Sequence, residues 1–401
     1  MKVKIYKSTP KGVLNAPSSK SYSHRYLIAS GLANNPSIVS NIYFSNDVMA
    51  SLNCLSSFGC AYKMDNNGVE FINNSYINDN PIFDCNESGS TLRFMIPIAL
   101  TKYEDVTFKG SEKLISRGIE IYEKVFNKLG IKVIKSSNSL RFIGKLKPGV
   151  FEIDGSISSQ FITGLLYALP LLDGDSKIIL LPPVNSKNYI DMTIDVLEKY
   201  SIKIEKVDNT LIIPGNQKFV AKDYEVEGDY SNAAFLEAFN YLDGNIKVLG
   251  LNSSSLQGDK VYQEYFKLLS KENVTLDISN CIDLGPVLFA FASLHHGATF
   301  IGTSRLKIKE SDRALAMKEE LAKVGVKLDI YEDKVIVHKC LIKEPKEAFN
   351  SHNDHRIVMA MSLFSTKFDV EINDAEAVSK SYPHYFKELE KVGVKIDYET
   401  R

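Results

Sequence analysis

The sequence has no surplus of either charge: 48 Lys plus Arg stand against 49 Asp plus Glu, for a formal net charge of -1. The field of the whole molecule gives no reason for polyanion or nucleic-acid binding, so any strongly cationic site must be a local cluster. Long apolar runs are missing as well. The two longest, FITGLLYALPLL (161–172) and LGPVLFAFASL (284–294), fall short of the roughly 18 residues of a membrane span and read as buried helices. The opening stretch MKVKIYKSTPKGVLNAPSSK lacks an apolar core and an Arg-rich amphipathic pattern, so neither a secretory signal nor a transit peptide is expected, and the expected compartment is the cytoplasm. The five cysteines, Cys54, Cys60, Cys85, Cys281 and Cys340, form no CxxC pair. That argues against a disulfide framework or a thiolate zinc site and leaves most of them as small buried hydrophobes.

What is present is an ordinary globular composition, 44% apolar and 24% charged, over 401 residues. A segment recurs six times: an amphipathic helix, a turn residue, then a β-hairpin. The clearest copies are LGIKVIKSSNSLRFIG (129–144), YSIKIEKVDNTLIIPG (200–215) and VGVKLDIYEDKVIVHK (324–339); the weaker ones lie at 58–73, 271–279 and 392–400. Their turn residues, Gly59, Gly130, Ser201, Asn273, Gly325 and Gly393, are separated by 71, 71, 72, 52 and 68 positions. Each follows apolar positions three or four apart, such as Ala314, Met317, Leu321 and Val324 before Gly325, as a helix ending in a left-handed stop requires. Alternation then marks the hairpin, as in Val326, Leu328 and Ile330, a turn at Asp333 and Lys334, and Val335 and Val337. Six units of about 70 residues exceed one core but suit two cores of three, since domains rarely pass ~250 residues. The reading is two pseudo-threefold α/β domains, divided at the polar run KDYEVEGDYSNAAF (222–235). The strand KVKIYK (2–7) has no helix of its own and can pair with either half.

Six segments interrupt the repeat with residues that suit a ligand better than a core. APSSKSYSHRYLIASGL (16–32) opens a helix with hydroxyls, Lys20 and Arg25; free N–H groups there make an anion site, although an ordinary Ser-capped helix is the alternative. NESGSTLRFMIPIAL (86–100) carries Gly89, which permits close backbone approach, and Arg93, without a Walker pattern. In GSEKLISRGI (110–119), Arg117 reads as standing at a helix start, where it opposes the dipole. DGSISSQFITGLL (154–166) places Ser158, Ser159 and Gln160 at a helix head, with Ser186 and Tyr189 following in NSKNYIDMT (185–193). RLKIKESDRALAM (305–317) crowds Lys307, Lys309, Glu310, Asp312 and Arg313 at another head, with a solvated charged turn as the alternative. NDHRIVMAMSL (353–363) and SKSYPHYF (379–386) add Arg356 and Lys380 at two further expected starts. His352 and His355 have a spacing of three but no metal pattern around them. Taken together, seven cations gathered at helix beginnings in a nearly neutral chain point to a ligand with several negative charges.

Ten ordered segments carry a resemblance: SSKSYSHR, ESGSTLR, the Arg117 loop, SISSQF, SKNYIDMT, GDYSNAAF, IDLGP, KESDR, NDHR and KSYP. Over essentially its full length the chain resembles the 5-enolpyruvylshikimate-3-phosphate synthase family. The resemblance implies two inside-out α/β domains, each a pseudo-threefold of a βαβαββ-type unit, here divided as 1–18 plus 228–401 and 19–227. It implies transfer of the enolpyruvyl group of phosphoenolpyruvate to the 5-hydroxyl of shikimate 3-phosphate, with phosphate released. No metal or organic cofactor is implied, and the expected form is a monomer without membrane or nucleic-acid partners. Shikimate 3-phosphate would be held by Lys20, Ser21, Arg25, Ser158, Ser159, Gln160, Ser186, Tyr189, Asp283 and Lys309. Phosphoenolpyruvate would be held by Lys20, Gly89, Arg117, Gln160, Arg313, Arg356 and Lys380. Asp283 would accept the hydroxyl proton and Glu310 would act at the enol carbon, with Lys20 close to both. The chain departs from the family pattern at Glu87, where Asn is common, at Gly118, where Pro is common, and at the variable position Arg305. The homologous UDP-N-acetylglucosamine enolpyruvyl transferase is a rival, but 110–119 holds neither the cysteine nor the aspartate of its loop. A non-catalytic phosphometabolite binder is a second rival, opposed by the presence of Asp283, Lys309 and Glu310. An RNA-end-processing relative of the fold is a third, opposed by the neutral charge.

Overall fold

The computed structural model describes residues 1–72 and 81–399, and the chain divides into two compact units, Met1–Pro17 with Gly228–Arg401 and Ser18–Glu227. Ser18 goes with the second unit, one residue earlier than the sequence reading divides it, because its hydroxyl accepts the Tyr43 N–H at 2.8 Å. All six repeat-turn residues adopt positive φ, from 56° at Asn273 to 109° at Gly59. That is the left-handed helix stop the pattern predicts.

In Ser18–Glu227 the repeat becomes three four-stranded sheets with one strand order. The first runs Ile82–Asp84, Asp105–Lys109, Ser139–Ile143, Lys132–Lys135; the second Val150–Asp154, Ser176–Leu181, Thr210–Ile213, Glu205–Val207. The third runs Tyr224–Glu225, Ser37–Ser40, Gly68–Ile72, Ala61–Met64. In each, the first two strands are parallel and the hairpin adds antiparallel. The third sheet takes its parallel edge from the far end of the segment, which closes the threefold. A helix leads into the second strand of every sheet: Lys20–Leu32, Gly89–Lys102 and Ser159–Ala168. These three are buried almost all round, as helices without a polar face must be. The outer helices Asn46–Phe58, Glu120–Lys128 and Lys187–Lys199 bury one side only. Helices thus fill the middle of the unit and the sheets wrap them.

The other unit repeats the order in two sheets. One is Thr275–Asp277, Ala298–Ile301, Lys334–Val337, Leu328–Ile330, and the other is Phe349–Asn350, Val370–Asn373, Lys2–Ile5, Ile396–Glu399. The N-terminal strand replaces a hairpin arm in the latter, pairing Val3 with Ile372 on one side and Tyr398 on the other. The third unit is a two-stranded parallel pair, Lys11–Asn15 with Asn245–Leu249. Here the expected hairpin at 271–279 is corrected: Thr275–Asp277 is a single strand paired in parallel with Ala298–Ile301. The missing arm accounts for the short spacing of 52 after Asn273. The last copy likewise supplies one strand, and residues 73 and 400 of two weaker copies lie outside the described residues. Tyr230–Glu237, Gly285–Leu294 and His355–Ser362 are the buried helices of this unit. Cys54, Cys60, Cys85 and Cys281 are buried, and Cys340 is partly so. Among the described residues no helix is long and apolar enough to cross a membrane.

One crossing fixes the helix heads of Ser18–Glu227. Pro97 lies inside Gly89–Lys102 and has no N–H, so the Arg93 carbonyl one turn back loses its helical donor. The Tyr122 hydroxyl supplies one instead, donating to Arg93 O at 2.6 Å and lying 3.0 Å from Phe161 O. Gly164 makes the approach possible, since a Cβ there would stand 2.3 Å from Tyr122 Oη and 2.4 Å from Arg93 O. Gly164→Ala is therefore expected to destabilise the fold by about 2–4 kcal/mol through overpacking and a lost carbonyl partner. A urea midpoint equal to that of the parent protein would contradict this account of the crossing.

Candidate functional site

Three helix heads carry the polar residues of Ser18–Glu227. Ser19 caps Lys20–Leu32 by accepting the Tyr22 N–H, and Lys20 Nζ lies 2.9 Å from Asp47 Oδ2 in a mostly buried pair. One turn on, Arg25 is buried and held by neutral oxygens. Its Nε donates to Thr193 Oγ1 at 3.0 Å, Nη1 to Ser21 O at 2.8 Å and Nη2 to Tyr189 O at 3.0 Å. Its guanidinium also lies over the rings of Phe94 and Tyr189. Burial weakens its hold on the proton, which raises the worth of an anion brought nearby. Tyr189 follows Ser186, which sits left-handed at φ 55° with its side chain buried ahead of Lys187–Lys199. For serine that is an uncommon backbone state, of the kind that collects at ligand sites.

The other two heads meet through Gln160. Ser158 caps Ser159–Ala168 by accepting the Gln160 N–H, and Gln160 Nε2 donates to Ser90 Oγ at 2.9 Å. Arg93 Nη1 donates to Gln160 Oε1 at 2.7 Å and its guanidinium lies over Phe161, so Arg93 orients the amide. Gly89 opens its helix behind the Ser88 cap, and a Cβ on it would fall 2.9–3.1 Å from the Arg117 guanidinium. The absence of that methyl is what lets Arg117 lie against the helix head.

In the other unit, charge is matched by charge. Arg313, 1% exposed, directs Nε to Asp354 Oδ2 at 2.8 Å, Nη1 to Asp283 Oδ1 at 2.7 Å and Nη2 to Glu310 Oε2 at 2.6 Å. Lys309 Nζ is 3.1 Å from Asp283 Oδ1, and Arg356 Nη2 is 3.5 Å from its Oδ2. Burial alone would raise the Asp283 pKa, but Lys309, Arg356 and Arg313 together hold it well below the usual carboxylate range. Burial lowers the Lys309 pKa against the pull of Asp283, and raises no such conflict at Arg313, whose three carboxylates outweigh it. Arg356 is buried, and its Nε and Nη1 have no hydrogen-bond partner among the described residues. Lys380 Nζ donates to Asn353 O at 2.6 Å.

Several expectations need correction. Arg117 does not start a helix; it caps the C-terminal end of Glu112–Ser116, where the dipole favours a cation. Lys380 closes the 3-10 stretch Ala375–Lys380, ahead of the helix Tyr385–Lys391. Lys309 follows the 3-10 turn Ser304–Ile308, while Lys20, Arg93, Arg313 and Arg356 do stand in the first two turns of their helices. Arg313 serves three carboxylates, so a contact with phosphoenolpyruvate would draw on the second Nη1 N–H. His352 and His355 diverge: His352 Nε2 lies 2.7 Å from Glu320 Oε1, and His355 is buried in its helix. Glu319, Glu320 and His352 could present three ligand atoms within 4.8 Å, but Glu320 is already engaged by Lys323 and the Asn350 N–H. Gly118 has φ 76°, which proline cannot adopt, so this departure comes with its own loop conformation. Arg305 donates to Ser279 O.

Sequence reasoning missed Asp47, Asp259 and Gln257. Asp259 is buried, accepts from Ser231 Oγ, and has its pKa pushed up to about 7 by burial first and then by the charge of Asp283. Gln257 accepts the Tyr230 N–H and donates to Gly228 O, holding the head of Tyr230–Glu237. The signal was a second polar, Gly-bearing turn, SLQGDK (255–260), between an extended stretch and a helix.

The comparisons agree along the whole chain. The family model for EPSP synthase (3-phosphoshikimate 1-carboxyvinyltransferase) matches residues 6–389. A protein of Clostridium novyi (strain NT) named 3-phosphoshikimate 1-carboxyvinyltransferase is 41% identical over 434 aligned residues, covering 98% of each chain. One of the same name from Clostridioides difficile (strain 630) is 39% identical, again over 98% of each. Among solved structures, EPSP synthase from Acinetobacter baumannii shares the fold at TM-score 0.79 and 19% identity, covering 99% of this chain and 100% of that one. The chain belongs to the EPSP synthase (3-phosphoshikimate 1-carboxyvinyltransferase) family.

Proposed function

We propose that this protein catalyses transfer of the enolpyruvyl group of phosphoenolpyruvate to the 5-hydroxyl of shikimate 3-phosphate. The observation that supports this most directly, beside family membership, is Asp283: a partly buried carboxylate between Lys309, Arg313 and Arg356, with Glu310 on the same guanidinium. In the reading, Lys20, Ser21, Arg25, Ser158, Ser159, Gln160, Ser186, Tyr189, Asp283 and Lys309 take shikimate 3-phosphate. Lys20, Gly89, Arg117, Gln160, Arg313, Arg356 and Lys380 take phosphoenolpyruvate. The 5-oxygen adds to C2 of the enol as its proton passes to Asp283 and a proton reaches the C3 methylene from Glu310. The tetrahedral adduct then loses a C3 proton and breaks the C2–O bond to phosphate. Cationic side chains stabilise the oxyanions, which is the work a divalent ion would otherwise do. The same reading carries a cytoplasmic monomer acting in aromatic amino acid biosynthesis.

The test is phosphate release with both substrates in excess chelator. Turnover is expected with shikimate 3-phosphate and not with UDP-N-acetylglucosamine as acceptor; the reverse preference would sink the assignment. In the same assay Asp283→Asn and Glu310→Gln should each lower kcat by about 100-fold or more with smaller effects on substrate affinity. Near-normal turnover in either variant removes that residue from the proton path.

A carboxylate held far below its usual pKa is a poor base. In this reading the phosphate of shikimate 3-phosphate draws Lys309 away from Asp283, and the carboxylate of phosphoenolpyruvate draws Arg356, so bound ligands raise the basicity of Asp283. Aspartate carboxyl carbon-13 NMR should show one resonance, absent from Asp283→Asn, that titrates at higher pH in the shikimate 3-phosphate complex than in free protein. Identical titration in both would contradict the idea.

Glyphosate, an inhibitor of this family that occupies the phosphoenolpyruvate site, is expected to inhibit in competition with phosphoenolpyruvate. Gly89→Ala puts a methyl where the Arg117 guanidinium lies, so phosphoenolpyruvate KM and the inhibitory glyphosate concentration should both rise by about tenfold or more. Parent-like values for both would remove Gly89 and Arg117 from this role.

A further inference from the structure

Four buried polar side chains in Ser18–Glu227 form a line that the proposed chemistry does not use. His24 Nδ1 lies 2.7 Å from Ser51 Oγ, Ser51 Oγ lies 2.8 Å from Thr91 Oγ1, and Thr91 Oγ1 donates to Ser88 Oγ at 2.8 Å. Each of the four is at most 1% exposed. They join three helices, Lys20–Leu32, Asn46–Phe58 and Gly89–Lys102, and end at the serine that caps Gly89. Apolar side chains could pack such a crossing without desolvating hydroxyls. A satisfied polar line fixes instead one rotation and one height of each helix relative to the others.

The proton count gives the line a direction. A hydroxyl donates once, and Thr91 spends its proton on Ser88 at 2.8 Å rather than on Asp47 O at 3.4 Å. Ser51 then donates to Thr91, and His24 must donate to Ser51 from Nδ1. This tautomer leaves His24 Nε2, which has no partner among the described residues, as a bare acceptor. Burial, with Lys20 and Arg25 beside it, pushes the His24 pKa down to about 3, so the ring stays neutral at working pH and is no proton-transfer group.

We propose that His24 is a positioning residue for phosphoenolpyruvate: acting through Ser51 and Thr91, it sets the Ser88 cap and so the Gly89 helix head against which Arg117 lies. This rests on the assignment of Gly89 and Arg117 to phosphoenolpyruvate. His24 does not touch substrate in this scheme. Its loss loosens one half of the donor site and leaves the Arg25 and Tyr189 contacts for shikimate 3-phosphate in place.

The test is steady-state kinetics and shikimate 3-phosphate binding on His24→Leu, His24→Asn and His24→Gln. An asparagine amide occupies the position of Nδ1, whereas a glutamine amide reaches toward Nε2. Expected are a phosphoenolpyruvate KM raised by about tenfold or more in His24→Leu and His24→Gln, a kcat within about twofold, and recovery of most of the loss in His24→Asn. The dissociation constant for shikimate 3-phosphate should not move. A structural role alone would rank the variants by size and shift both substrates together. Ser51→Ala breaks the line at its middle and should copy His24→Leu, and it decides the matter if His24→Leu does not fold. Parent-like KM values in His24→Leu or Ser51→Ala, or no recovery in His24→Asn, overturn the proposal. Gly89→Ala separates the two levels. If it raises phosphoenolpyruvate KM while His24→Leu does not, only the His24 role fails; if neither raises it, the donor-site assignment fails as well.

Discussion

A guanidinium with Nε and both terminal nitrogens on carboxylates cannot be moved without unmaking its surroundings, and Arg313 is in that state. Asp283 comes from the turn before Gly285–Leu294, Glu310 from the loop before Arg313 itself, and Asp354 from the head of His355–Ser362. One side chain therefore ties three elements and fixes the mutual placement of the two carboxylates assigned to proton transfer. Removing one partner of such a buried set leaves an uncompensated charge, at a cost of about 3–5 kcal/mol. Asp354 is the hinge of the arrangement because it does two jobs: it caps its own helix by accepting the Arg356 N–H and it anchors Nε of Arg313. The cation that faces Asp283 from the other side, Arg356, stands on the same cap.

Arg313 and Arg25 are thus buried in opposite ways. In one unit, Asp283 is pressed between lysine and arginine until its charge is fully stabilised. In the other, Arg25 is surrounded by two hydroxyls and two backbone carbonyls, which orient the guanidinium without neutralising it. A cation held by neutral oxygens keeps its field for an incoming anion; one held by carboxylates controls the basicity of those carboxylates. Binding an oxyanion and moving a proton are distinct demands, and in the proposed reading they fall to different local chemistry on one repeated scaffold.

Much of this scaffold was legible in the sequence because a turn glycine after a helix and alternation after the turn are local signals. All six turns are left-handed as their spacing requires. What was not legible depended on partners distant in sequence. The copy near Asn273 has the residues of a hairpin arm, yet its strand pairs with Ala298–Ile301, a choice made by the sheet and not by the segment. Arg117 and Lys380 looked like helix starts because a helical pattern follows each, but the chain closes a short turn at both residues before the next helix begins. Asp47 and Asp259 were invisible because a carboxylate in a turn looks the same whether it faces solvent or, as these do, a lysine or a buried hydroxyl. The candidate ligand residues stand out through motif order, whereas the engagement of Arg313 by three carboxylates is a tertiary fact.

The caps show how the same backbone reaches two electrostatic outcomes. Ser19, Ser88 and Ser158 head the three central helices of Ser18–Glu227, and Asp229 and Asp354 head two central helices of the other unit. Serine and aspartate satisfy the first-turn N–H groups about equally well. They differ in what they leave behind. A serine cap leaves the partial positive charge of the helix end uncompensated, and an aspartate cap cancels it. Serine heads beside Lys20, Arg25 and Arg117 therefore add to an attraction for anions, while an aspartate head permits Arg356 to sit in the first turn of its helix without repulsion. Cap choice, invisible to a hydrophobic pattern, is where two copies of one architecture come to differ in the charge that their helix heads present.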